Sequence, residues 1–216
     1  MSAKKCIAST PVVQRCAITE KSLPSQPSCL DVSSLGRRSI VLVGLMGAGK
    51  SCVGRRMAAQ LDLPFADADD EIAKVAGMSI PAIFESLGEQ AFRDGERRVI
   101  ARLVQNGPQV LATGGGAFLD PDTRHCIREN GISIWLKAEL DILEKRTRGR
   151  SGRPLLRQST LRETLASLIK IRYPVYAEAD IIVESMDKPA ERTVNDVLGA
   201  LTAYLETSAY QCGNRP

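Results

Sequence analysis

Gly44-Leu45-Met46-Gly47-Ala48-Gly49-Lys50-Ser51 is the stretch on which the reading of this chain turns. It fits the pattern G-x-x-x-x-G-K-[ST], whose chance occurrence in a chain of 216 residues is on the order of one per cent. The surroundings fit as well. An apolar run, residues 39–43, leads into it, and Val53, Met57, Ala58 and Leu61 mark a helix leaving it. Glycines let backbone N–H groups turn inward around an anion, and the following helix presents the positive end of its dipole to the same point. Lys50 then reaches the β and γ phosphates of a nucleotide, and the Ser51 hydroxyl binds Mg²⁺. Gly47, Ala48, Gly49, Lys50, Ser51 and the adjoining Cys52 form the expected nucleotide site. Cys52, in the first turn of that helix, is expected to serve by packing.

Outward from this loop, short β-branched runs alternate with longer helical patterns, the signature of βαβ units and a parallel sheet covered on both faces. Strands are expected at 40–43, 64–66, 110–112, 133–136 and 181–183. Helices are expected at 50–61, 70–75, 80–105, 121–129, 140–146, 161–173 and 190–205, with a break near Gly88 or Gly95 in the third. The fold class is α/β, a five-stranded parallel sheet flanked by helices. Residues 147–159 carry four arginines, a glycine pair and a proline but little apolar content, and read as a mobile lid. Residues 1–36 are rich in Ser, Thr and Pro without hydrophobic periodicity and read as a disordered tail. The domain then spans 37–207, and 208–216 form a C-terminal tail. The N-terminal stretch is poor in acidic residues and carries Lys4, Lys5, Arg15 and Lys21, which fits an organellar transit peptide as well as a plain bacterial extension.

With 44% apolar and 25% charged residues the chain can bury a full core. No run approaches the roughly 18 consecutive apolar residues of a membrane span, so a membrane partner is not expected. Six cysteines without C-x-x-C spacing read as reduced thiols in a cytoplasmic protein. The net charge of +4 suits anionic small molecules and nucleic acid alike, but 4% aromatic residues offer few platforms for stacking bases, and no nucleic-acid partner is expected. The only histidine, His125, lies on an expected helix beside Arg124 and Arg128 and is assigned no role.

An Asn-Lys-x-Asp guanine-reading segment is absent, and no Asp ends the strands at 110 or 133 as in motor ATPases. Asp67-Ala68-Asp69 instead follows the second strand, at the end of the sheet where ligands bind. If the segment stays extended, both carboxylates point one way, one for metal-bound water and one for an acceptor hydroxyl; the blander alternative is helix capping. Gly114-Gly115-Gly116 after the third strand allows close approach of an anion or makes a plain turn. Arg93 and Arg172 lie on expected helices, with Glu96 three residues beyond Arg93 and so on its face. Alone, both arginines read as solvated surface charges.

The ordered set of phosphate loop, Asp67 to Asp69, Gly88-Glu89-x-x-Phe92-Arg93, Gly114 to Gly116, Arg153-Pro154-Leu155-Leu156 and Arg172-x-Pro174-x-Tyr176 resembles the shikimate kinase family over about residues 38–205. The resemblance implies a P-loop kinase fold and transfer of a phosphoryl group from ATP to the 3-hydroxyl of shikimate, with Mg²⁺. It implies that Asp69 contacts that hydroxyl, that Arg93, Arg172 and the Gly115 amide hold the carboxylate and its neighbours, and that Glu96 orients Arg93. Gly114 and Gly116 complete the acceptor site. Arg153 closes over ATP, Arg146 stacks near the adenine, and Asp67 joins Ser51 in the metal environment. Lys50, Asp69 and Arg153 are thereby the catalytic set of an expected monomer. Two alternatives stay open: a related kinase for another carboxylated polyol such as gluconate, and a nucleotide-gated nucleic-acid binder built on the arginines of 146–157.

Overall fold

In the computed structural model, residues 31–148 and 158–213 are described. Ser39 to Val43 form β1 (Ser39–Val43), buried along its whole length because parallel neighbours flank it and helices cover both faces. The other strands are β2 (Phe65–Asp67), β3 (Val110–Ala112), β4 (Gly131–Lys137) and β5 (Ile181–Glu184). All pair in parallel in the order β2-β3-β1-β4-β5. The order reverses around β1, so its carboxyl end opens at the switch point where ligands of α/β sheets bind. That end runs straight into residues 44–51.

Among the described residues seven α-helices surround the sheet: α1 (Lys50–Leu61), α2 (Ala68–Ala76), α3 (Ile80–Gln105), α4 (Pro121–Asn130), α5 (Leu140–Arg148), α6 (Gln158–Tyr176) and α7 (Ala190–Gly213). Local chemistry sets several of their ends. Ser79 caps α3 by accepting from Ala82 N, and Asp120 caps α4 by accepting from Thr123 N, each with a proline in the first turn. The expected break in α3 falls at Gly88, whose φ of 81° and ψ of 172° no other residue type adopts easily. The later half of α3 lays Phe92, Val99, Ile100 and Leu103 into the core, whereas the earlier half buries only Ile83.

Several boundaries differ from the sequence reading, among them the ends of the expected lid, where α5 runs to Arg148 and α6 starts at Gln158. Asp67 accepts a hydrogen bond from Asp69 N and starts α2 at Ala68, so the segment after β2 is not extended. Pro174 does not end α6, because Tyr173 and Tyr176 pack on Trp135 with ring centroids 4.8 and 5.9 Å away. The backbone of α7 continues through part of the expected C-terminal tail, to Gly213. At the other end, residues 1–30 of the expected tail lie outside the described residues. Residues 32–35, also assigned to that tail, form a 3-10 turn capped by Asp31, and Leu35 is buried in the core, an apolar anchor within a polar stretch. Among the described residues no helix is long and apolar enough to cross a membrane.

Candidate active site at the carboxyl end of the sheet

The loop between β1 and α1 takes its shape from close contacts as well as from glycine dihedrals. Gly47 has a φ of 82°, and a side chain there would lie 2.8 Å from Thr147 Oγ1 and 3.0 Å from the Leu143 carbonyl. The start of the region expected to form the lid is thus packed on the loop. Lys50 Nζ donates to the carbonyls of Gly44 at 2.8 Å and Leu45 at 3.0 Å, bracing the loop. Burial lowers the Lys50 pKa to about 8, although Asp69 and Asp67 draw it upward. An incoming phosphate supplies the negative charge that favours the ammonium form.

Ser51 Oγ donates to Asp67 Oδ2 at 2.6 Å. The other carboxylate oxygen of Asp67 accepts from Asp69 N at 3.1 Å, so Asp67 is a helix cap and a partner of Ser51 at once. Capping, the blander alternative, therefore occupies one oxygen of Asp67, and the Ser51 hydroxyl meets the other. A hydroxyl and a carboxylate in contact make a hard-oxygen donor set suited to Mg²⁺, which takes most of its ligands from water and phosphate.

Asp69 lies in the first turn of α2, and its proximity to Lys50 comes from helix geometry rather than from the extended alternation expected for Asp-x-Asp. Burial, and then the charge of Asp67, hold its pKa above the ordinary carboxylate value, against the pull of Lys50 and Arg93. Across from it runs the triplet 114–116, where the absence of side chains lets the charged groups approach the backbone. A side chain at Gly114 would lie 2.9 Å from Asp69 Oδ1 and 2.7 Å from Glu96 Oε1, and one at Gly116 would lie 2.5 Å from Arg93 Nη1. At Gly115 the nearest atom would be Arg172 Nη1, 3.3 Å away. The triplet is thus the floor on which Asp69, Arg93 and Arg172 meet.

Arg93 Nη1 donates to Glu96 Oε2 at 2.7 Å, and Glu96 is only 3% exposed. Burial raises the Glu96 pKa even though Arg93 pulls it down. Arg172 Nη1 donates to the Gly115 carbonyl at 2.8 Å. Neither arginine is the freely solvated surface charge of the bland reading. The hydroxyl of the fully buried Tyr176, one helical turn after Arg172, donates to that same carbonyl. Tyr176 belonged to the quoted motif without a role; the four-residue spacing from Arg172 was the available signal.

On the other side of the loop a cavity of about 180 Å³ is lined by Gly47, Gly49, Cys52, Val53, Arg146 and Ser185, among others. Arg146 reaches it by donating from Nη1 to Ser185 Oγ at 2.8 Å and from Nη2 to the Met186 carbonyl at 2.5 Å. Cys52 is half-buried on the cavity wall and receives a hydrogen bond from Arg56 Nη1 at 2.8 Å, so it borders the cavity and is not packed into the core. Ser185 has no motif around it, and nothing in the sequence singled it out. Arg153 lies outside the described residues, as does most of the expected lid.

Residues 46–202 match the family described as shikimate kinase. The chain is 59% identical over 169 residues to a shikimate kinase of Paramagnetospirillum magneticum, covering 78% of this chain and 87% of that one. It is 52% identical over 190 residues to a shikimate kinase of Bradyrhizobium diazoefficiens, covering 87% and 92%. Among solved structures, shikimate kinase from Acinetobacter baumannii in complex with shikimate superposes with a TM-score of 0.73 at 36% identity, over 79% of this chain and 96% of that one. A gluconokinase from Sinorhizobium meliloti gives a TM-score of 0.56 at 21% identity, over 81% and 97%, a likeness of fold alone.

Proposed function

The chain belongs to the shikimate kinase family and phosphorylates shikimate with ATP, and from that premise we propose how its residues divide the work. Arg93 and Arg172 bind the shikimate carboxylate and its neighbouring groups, with the Gly115 amide beside them. Asp69 accepts a hydrogen bond from the 3-hydroxyl and aims that oxygen at the γ-phosphorus. Its raised pKa makes it the better proton acceptor as the new P–O bond forms. Lys50, already drawn into the loop by two carbonyls, exchanges these for the β and γ phosphate oxygens and offsets their charge. Ser51 and Asp67 hold Mg²⁺, which neutralises phosphate charge when bound. Arg146 lies along the nucleotide cavity beside Gly49 and Cys52, toward the adenine. The approach of Arg153 to the phosphates rests on the motif resemblance. The enzyme works as a cytoplasmic monomer on two small molecules.

The observation that carries this reading is the convergence of Asp69, Arg93 and Arg172 on the 114–116 backbone, with the charge of Lys50 acting on Asp69. Two cationic forks and one carboxylate beside a phosphate loop describe a site for a carboxylated polyol. The test is a coupled assay of ADP release with shikimate or gluconate as acceptor, followed by phosphorus NMR of the product. ADP release with shikimate alone, and an ester at the 3-oxygen, are expected. Equal or faster release with gluconate would remove shikimate as the acceptor.

A further inference from the structure

Ser185 follows β5 directly, is 2% exposed, and ties three parts of the molecule together. Its backbone N–H donates to the Lys137 carbonyl at the end of β4, at 2.6 Å. Its hydroxyl donates to the Ala48 carbonyl in the phosphate loop at 2.9 Å and accepts from Arg146 Nη1 at 2.8 Å. A serine hydroxyl has one proton to give, so with that proton on Ala48 the oxygen lone pair is what meets the guanidinium, and the direction of both bonds is fixed.

The consequence for the loop follows from peptide geometry. Across the planar trans peptide joining Ala48 and Gly49, the carbonyl and the next N–H point in opposite directions. Drawing the Ala48 carbonyl back to Ser185 therefore turns the Gly49 N–H the other way, away from Ser185. The consequence for Arg146 is that its fork is gripped twice, by the Ser185 hydroxyl and by the Met186 carbonyl, with Nη1 3.5 Å from the Gly47 carbonyl. One side chain thus fixes a backbone unit of the loop and a cation on the cavity wall.

We infer that Ser185 is a positioning residue for the nucleotide, holding the Gly49 amide and the Arg146 guanidinium in one register so that both engage ATP together. This rests on the assignment of the loop and its cavity to ATP. Ser185 touches neither the acceptor floor nor the residues at its edge, so its effect is confined to the nucleotide.

The test uses Ser185→Ala, Ser185→Thr and Arg146→Ala in the full chain, with the KM of each substrate and with ADP affinity by calorimetry. Ser185→Ala should raise the ATP KM about tenfold, as expected when one buried hydroxyl leaves two partners unsatisfied. The shikimate KM should stay within about twofold, and Ser185→Thr, which keeps the hydroxyl, should restore most of the ATP affinity. On the Arg146→Ala background, Ser185→Ala should add less than its own separate effect, because the two act partly as one unit. An unchanged ATP KM in Ser185→Ala, equal rises in both KM values, or full additivity would each overturn the inference. If Ser185→Ala does not fold, Arg146→Lys carries the test, since an ammonium cannot grip Ser185 and Met186 as a fork. It must then raise the ATP KM about tenfold, and a wild-type value overturns the inference. ADP calorimetry needs no acceptor, so a loss of ADP affinity alongside failure of the shikimate assay would sink the acceptor assignment and leave Ser185 in place.

Discussion

At Glu96 the demands of binding and of stability oppose each other. Its carboxylate is almost wholly buried while Arg93, its partner, is a third exposed, so the cost of dehydration falls on the acid. Burial consequently raises the Glu96 pKa despite the arginine. A folded state that holds this proton longer than the unfolded chain gains stability from it at low pH. That gain is complete below the ordinary carboxylate value and is lost as pH rises through the raised one. At neutral pH the ionised form therefore weakens the fold, and what it provides is a fixed Arg93. Glu96→Gln should melt no lower than the parent at pH 7.5, and by about 2 °C higher if the full burden is relieved. The difference should shrink as pH falls toward the carboxylate range. The shikimate KM should rise about tenfold because the arginine loses its charged anchor. Scanning calorimetry between pH 5 and 8 with parallel kinetics checks this; a lower melting temperature at pH 7.5 would show that the ion pair outweighs the burial.

The elements that build the site meet through backbone, and the glycine triplet shows the consequence. A methyl at position 116 would lie 2.5 Å from Arg93 Nη1 and 3.0 Å from its Cζ, the far end of a flexible side chain. The fold can absorb Gly116→Ala by moving that end, but the guanidinium then leaves Glu96. The shikimate KM should rise by about ten- to a hundredfold with little change in the ATP KM or the melting temperature. Steady-state kinetics and a thermal melt separate this from simple unfolding, since comparable rises in both KM values would mean that the triplet shapes the whole loop. The same elements show what the sequence made legible. The span of α1 was readable because its stripe is continuous and a defined loop precedes it; that of α3, because its apolar face resumes beyond Gly88. The start of α2 was not, because a strand-to-helix boundary was set by one side-chain bond, from Asp67 to the Asp69 amide. The meeting of Arg93, Arg172 and Asp69 on one stretch of backbone was foreshadowed by motif order, whereas Ser185 contacts residues 137 and 39 positions away, which leaves no local pattern.

Across the whole molecule, the two halves of the site rest on parts of very different firmness. The nucleotide half grows from β1 and α1, whose residues run through a single core cluster from Leu35 to Leu205. The proposed acceptor half takes Asp69 from α2 and Arg93 from α3 just past its kink. Over α2 and the early part of α3 only Ala68, Ile72 and Ile83 are buried apolar residues, while Val75, Phe84 and Leu87 lie exposed. With so little apolar area holding it, this stretch should open well below the free energy of global unfolding. Hydrogen exchange should therefore find amides of 68–87 exchanging first among the helices and those of β1, β3 and β4 last. If shikimate bridges Asp69 and Arg93 as proposed, it should slow exchange in 68–87, whereas ADP should act mainly on 44–61. Trp135, the single tryptophan, packs against Tyr173 and Tyr176 and so reports the core. Its fluorescence and the far-ultraviolet signal should lose structure at one urea midpoint, apart from a small early loss of helix signal from 68–87. Equal exchange in α2 and β1 would mean that the acceptor half is as firm as the sheet, and that shikimate binds without ordering it.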